Sequence, residues 1–216
     1  IYTRIVITNL KLRIIEEKLL SHEYDMDTIS EIIPNVIKEC CMKLKIQKAS
    51  IVGIGIGIVG GFNSDQLKDE LKREFDTIIC IDNGANAAVI GEYNFGIGKG
   101  KKNIAYINCG VGIRTGIISS GVLIRTINNV EDAFGHMVVD ADGELCSCGN
   151  YGCIESYVSI PNITKKFIDE IKENESSLLK KNLNDINYID VCDLGERENE
   201  EAMGCLLYTS LMARGR

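Results

Sequence analysis

Several absences narrow what this 216-residue chain can be. No block of clustered Lys and Arg appears, and the net charge is −7. Phosphate-backbone binding needs such clusters, so nucleic-acid contact by these residues themselves is not expected. No apolar run approaches the roughly 20 residues of a membrane span. No internal repeat or low-complexity linker is present. No secretory leader is visible, although the first residue is Ile1 rather than Met. Tryptophan is missing and proline occurs only at Pro34 and Pro161. What remains is 45% hydrophobic and 25% charged, the composition of a globular protein with one large or two small domains.

Cysteine, by contrast, is plentiful, with nine residues. Three of them join a histidine in one cluster: Gly135-His136, Cys146-Ser147-Cys148-Gly149 and Gly152-Cys153-Ile154-Glu155. The spacing is H-x9-C-x-C-x4-C. Four soft ligands this close, interleaved with Gly143, Gly149 and Gly152, suit a closed tetrahedral zinc site. A site with no open position is structural, so the metal should shape a loop. The other six cysteines are scattered, mostly in apolar surroundings. That pattern fits a reducing cytoplasm better than a disulfide scaffold.

Along the chain, Arg4–Asn9 and Leu12–Leu19 read as a hairpin. Asp27 is placed to cap a helix running to about Leu44, with Ile29, Ile32, Ile33, Val36, Ile37 and Cys40 on one face and Pro34 near its start. Ala49–Val59 reads as a buried strand, Asp65–Phe75 as an amphipathic helix and Thr77–Ile81 as a short buried strand. Ala85–Phe95 reads as helical. Ile104–Cys109 and Ile113–Ser119 read as strands, with a turn at Ser120-Gly121. Asn150–Ser159 and Asn162–Glu173 read as helices separated at Pro161. Glu196–Gly204 continues a charged helical remainder. Strands alternating with helices predict an α/β domain with ligands beyond the strand ends. Four motifs fall at such ends: Gly57–Gly61, Asp82–Asn86, Gly110–Gly116 and the cysteine loop. They suggest a single cleft, with Asp82–Gly84 as a hinge candidate.

Asn83 and Asn86 follow a strand and open a helix. Each can serve a hydroxyl-rich ligand or act as an N-cap. Gly110, Gly112 and Gly116, with Arg114 and Thr115, form a Gly-rich segment that suits phosphate or a tight hairpin. His136 can bind metal through one ring nitrogen and donate to a ligand through the other. Glu155 can accept two sugar hydroxyls or simply be a solvated helix residue.

Taken together, these segments resemble the ROK family (repressors, open reading frames and kinases). The resemblance covers most of residues 1–175 and is most specific from Phe134-Gly135-His136 to Cys153-Ile154-Glu155. It implies an actin-like, ribonuclease H-like two-lobed sugar-kinase fold with an inserted zinc loop at 134–155. Residues 1–83 would be part of the N-terminal lobe and 84–204 the C-terminal lobe. It further implies structural Zn2+ on His136, Cys146, Cys148 and Cys153, and sugar contacts at Gly60, Asn83, His136 and Glu155. Homodimers are common in such a family.

This chain departs from the family's kinase pattern. The Asp expected to take the proton from the attacking sugar hydroxyl is Gly84, so no catalytic residue is assigned. That loss would remove a contribution of about 10²–10⁴-fold. Asp82 stands where Glu is usual, and Ala133 replaces another sugar-contacting Glu. Val111, Arg114 and Thr115 replace Thr and two glycines of the phosphate loop, which argues against ATP and Mg2+. Arg114 can instead hold an anion. The segment between Gly61 and Gln66 is short. The first phosphate loop and any helix-turn-helix would lie before Ile1. Residues 205–216 read as translated sequencing adapter, outside functional argument. The expected function is the sugar-sensing domain of a transcriptional regulator that takes a monosaccharide or a derivative. DNA would be reached only through a segment not in this chain. The alternatives are an ATP-dependent hexose kinase and a non-catalytic sugar-binding protein.

Overall fold

The computed structural model describes residues 2–21, 26–58, 64–125, 131–173, 182–197, 199–200 and 202–206. The chain divides into two compact units, residues 1–87 and 88–216.

The first unit opens with an antiparallel pair, β1 (Tyr2–Thr8) and β2 (Ile14–Ser21). Asn9 organises the turn, its Oδ1 accepting from the Lys11 and Arg13 amides at 2.9 and 3.1 Å. Helix α1 (Met26–Leu44) follows. It already includes Asp27 in its first turn, so Asp27 is not the cap. Ser30, Ile33, Pro34, Ile37, Cys40 and Cys41 are its buried residues, spaced three and four apart as one helix face requires. Pro34 is accommodated inside the helix and removes one backbone donor there.

A parallel pair completes the unit: β3 (Gly53–Ile58) and β4 (Ile78–Asn83), linked by α2 (Asp65–Phe75). The expected strand from Ala49 is shorter, because Lys48–Ser50 winds into a 3-10 turn. Neither strand is buried on both faces. The glycines of β3 are exposed, while Ile54 and Ile56 are half-buried. Those isoleucines pack on the buried Ile33, Ile37, Leu67, Leu71, Phe75 and Ile79. Leu67, Leu71 and Phe75 recur every fourth residue, which turns one stripe of α2 inward.

β4 passes directly into α3 (Gly84–Phe95), with no loop between them. The division between the units falls inside α3, a few residues after the expected boundary at 83/84.

In the second unit β5 (Ile104–Cys109), β6 (Ile113–Ser119) and β7 (Val122–Leu123) form an antiparallel sheet in chain order. Ser120 and Gly121 turn the second hairpin with φ of 51° and 80°, the left-handed pair favoured between twisted strands. A 3-10 segment, Glu131–His136, leads into the cysteine loop. The loop ends at the short helix α4 (Glu155–Val158), followed by α5 (Ile160–Glu173) and α6 (Tyr188–Glu196). Residues 150–154 are not helical as expected, because antiparallel bridges Leu145↔Tyr151 and Val138↔Cys153 claim their backbone. Pro161 sits in the first turn of α5, where its missing N–H costs nothing. Ile163, Phe167 and Ile171 of α5 pack with Ile186, Val191, Ala202 and Cys205. The helical run expected over Glu196–Gly204 is interrupted, with α6 ending at Glu196 and Arg197 in a turn. Among the described residues, no helix is long and apolar enough to cross a membrane.

Candidate metal centre and its surroundings

The cysteine loop builds its site from local turns. The Gly149 amide bonds to the Cys146 carbonyl at 2.9 Å and the Cys146 amide to the Asn150 carbonyl at 2.8 Å. This knuckle holds Cys146 and Cys148 side by side. Gly149 and Gly152 have φ of +89° and +67°, a region that side chains with a Cβ avoid. At Gly152 a Cβ would also fall on the Asp140 carbonyl oxygen. The Gly152 amide meets the Glu144 carbonyl at 2.7 Å, and its carbonyl accepts from Val139 at 2.8 Å. Cys153 is thereby carried back beside His136.

The ligand atoms of His136, Cys146, Cys148 and Cys153 lie within 4.8 Å of one another. Cys146 Sγ is 3.5 Å from His136 Nδ1, and Cys148 Sγ is 3.7 Å from Cys153 Sγ. A tetrahedral ion with metal–sulfur bonds of about 2.3 Å and metal–nitrogen bonds of about 2.0 Å requires edges of about 3.8 and 3.6 Å. The donor set therefore fits a closed four-coordinate metal site. The nitrogen turned toward the thiols is Nδ1.

The thiols differ in acidity. Burial tends to raise the Cys146 thiol, but hydrogen bonds from the Cys148 backbone, the Cys148 thiol and His136 outweigh it and bring it down to about 6. Burial pushes Cys153 up to about 12, reinforced by Cys148 and Cys146. One thiolate thus suppresses a second nearby, a conflict that a bound dication resolves.

Glu155 lies two residues beyond the last thiol and is half-buried. Its Oε2 accepts from the Ile113 amide at 2.8 Å, across 42 residues of chain. A Cβ at Gly112 would come within 2.8 Å of that oxygen, and one at Gly135 within 3.1 Å. Two glycines and one amide therefore cradle this carboxylate, and His136 adjoins it through Gly135. Sequence reasoning read Glu155 as a ligand contact or a solvated residue and missed the tie to β6. It also missed Tyr157, whose hydroxyl accepts from the Glu144 amide at 2.9 Å, and Ser156 beside Cys146. Their spacing of three and four from Cys153 was the available signal.

The Gly-rich segment is a tight hairpin, one of the two forms its sequence allows, with Gly110–Gly112 as the turn. Arg114, Thr115 and Gly116 belong to β6 and pair with Asn108, Ile107 and Tyr106.

In the first unit Gly57, Asp82, Asn83, Gly84 and Asn86 come together. Asn83 Oδ1 accepts from the Ala85 amide at 2.7 Å and so caps α3. Asp82 Oδ1 accepts from the Asn83 amide at 2.8 Å and from Asn86 Nδ2 at 3.2 Å. Asn86 is fully buried. A Cβ at Gly57 would touch the Gly84 Cα at 3.4 Å, so the two glycines let strand and helix meet closely. Gly60 and Gly61 lie outside the described residues.

Solved structures with this fold are sugar kinases and a regulator. A ROK family glucokinase from Streptomyces griseus, in complex with glucose and AMPPNP, superposes with a TM-score of 0.76 at 22% identity, over 96% of this chain and 72% of that one. A ROK family transcriptional regulator, a homolog of the E. coli MLC protein, gives 0.80 at 20%, over 98% and 57%. Both kinds of protein share the actin-like sugar-kinase architecture.

The ROK family model matches residues 2–213, and the chain belongs to the ROK family. The glucokinase of Halalkalibacterium halodurans is 31% identical over 61% of this chain and 45% of its own length. The xylose repressor of Bacillus subtilis is 28% identical over 90% and 53%. The chain thus spans about half the length of these curated relatives. The match extends into residues 205–213, which had been read as adapter. Within them Cys205 is buried in the α5–α6 core, and residues 207–216 lie outside the described residues.

Proposed function

We propose that this chain is the sugar-sensing domain of a ROK regulator, with zinc held by His136, Cys146, Cys148 and Cys153, and without kinase activity. The observation that carries the reading is the environment of position 84. Gly84 has no side chain, and Asp82 Oδ1, two residues before it, already accepts from the Asn83 amide and Asn86. A general base must be within reach of the proton it abstracts, and position 84 offers none. When bound, zinc supplies charge and four fixed bonds, organising the loop. His136 then presents Nε2, and Glu155 presents Oε1, toward sugar hydroxyls, while Glu155 Oε2 stays on the Ile113 amide.

Xylose and glucose are the sugars to test first, since relatives carry the names xylose repressor and glucokinase. In the complete protein, sugar occupancy would bias a two-state arrangement that sets DNA affinity, through a segment outside these residues. The second reading, a sugar kinase, is favoured by the glucokinase relatives. Titration calorimetry with both sugars, combined with an ATP-dependent phosphorylation assay, separates the two. Sugar binding without turnover is expected, and Cys148→Ser should lose both metal and sugar binding. Turnover by the unaltered chain at ordinary kinase rates would overturn the regulator reading. Phosphorylation gained by Gly84→Asp would show a kinase frame lacking only its base.

A further inference from the structure

The four ligands are unequally protected. Cys146 and Cys153 are buried, at 5% and 0% exposure, whereas Cys148 is exposed. Its sulfur is 3.7 Å from Cys153 Sγ. Closing to a disulfide bond of about 2.05 Å takes a movement of about 1.7 Å. Two left-handed glycines, Gly149 and Gly152, lie between the two cysteines. The Cys146 sulfur also neighbours Cys148, but it lies 3.5 Å from His136 Nδ1 and 3.9 Å from the Ser147 hydroxyl. Cys148 is also only two residues from Cys146, a spacing too tight for an easy bridge. One accessible thiol therefore has one buried neighbour poised to resolve it.

We propose that Cys148 and Cys153 are a redox modification pair, oxidised by a hydroperoxide to a disulfide that dismantles the metal site. The Cys148 thiolate attacks one peroxide oxygen. The S–O bond forms, the O–O bond breaks, and the departing hydroxide takes a proton to become water. The Cys153 thiol then attacks the Cys148 sulfur, its proton passing to the departing oxygen. The S–S bond forms, the S–O bond breaks, and a second hydroxide leaves as water. The two sulfurs give two electrons to the peroxide, and a dithiol reductant reverses the change. A four-ligand centre reduced to His136 and Cys146 no longer closes around the ion. The release of metal rests on the zinc reading above; the pairing of the two thiols does not.

The test uses the full chain carrying Cys80→Ser and Cys109→Ser, which removes two other exposed thiols. Zinc is first counted in the reduced protein. Hydrogen peroxide is then added, with metal release read by a chromophoric chelator and cross-links located by peptide mass mapping. The expected result is a Cys148–Cys153 cross-link, loss of the bound zinc in step with it, and recovery of both thiols with dithiothreitol. A cross-link through Cys146, or over-oxidised Cys148 with no cross-link, overturns the proposal. So does zinc retained after the cross-link has formed. If the reduced protein holds no zinc, the zinc reading fails, and the mapped cross-link alone decides the thiol pair.

Discussion

Cys146 and Cys153 answer to opposite pressures at the residue scale. Both are buried, yet donors around Cys146 hold its thiol down at about 6, and burial beside other thiols holds Cys153 up at about 12. An unfolded thiol titrates near 8.5. For Cys146 the unfolded chain binds more protons between those values, so its contribution is present above about 8.5 and is lost as pH falls through about 6. For Cys153 the contribution is present below about 8.5 and lost as pH rises toward 12. In metal-free protein the combined contribution of these two thiols should therefore peak near pH 8.5. Cys146→Ser should flatten the acid side of a melting temperature-against-pH curve. Gly152 belongs to the same scale. Gly152→Ala meets both a φ of +67° and the Asp140 carbonyl, and should cost about 2 kcal/mol or more in a denaturant titration.

At the scale of elements, the junction from β4 to α3 shows why a pair of asparagines is ambiguous in sequence. Either was suited to a ligand or to a cap. Asn83 caps the helix, and Asn86 is buried against Asp82. Asn83→Ala should therefore destabilise the first unit by about 1 kcal/mol in chemical unfolding, whatever its effect on sugar. Helix α6 carries a clearer version of the same device, with Asn187 and Asp190 capping each other's amides. The segment 110–116 suited either a phosphate loop or a tight hairpin because a Gly-rich stretch serves both. The pairing Cys109↔Ile113 leaves only three residues to turn.

The whole molecule comprises two units with separate apolar cores. The cysteine loop belongs only to the second. On the zinc reading proposed above, removing metal should act there, since binding energy at a closed site is folding energy. Chelation with a strong zinc chelator should speed amide exchange across residues 137–158 while α1 and α2 keep their protection. Hydrogen-exchange mass spectrometry checks this. Equal loss in both units would tie the first unit's stability to the metal as well.

Most of the elements were legible in sequence because their causes are local. Fourth-residue recurrence of Leu67, Leu71 and Phe75 fixes a helix face. Isoleucine-containing runs on either side of Gly110 and Gly112, closed by Ser119-Ser120-Gly121, mark β5 and β6. The four candidate metal donors fall within eighteen residues, so the chain between them is too short to carry them far apart. The tertiary structure decided what depends on distant partners. It chose Nδ1 of His136 as the nitrogen facing the thiols, and it kept 150–154 out of a helix by bridging them to 138 and 145. It turned one oxygen of Glu155 onto an amide 42 residues away, and it laid Arg114 into a ladder. Local pattern specifies what a segment tends to become. Which donor and acceptor meet is set by packing, where a buried polar group must find a partner wherever the fold brings one.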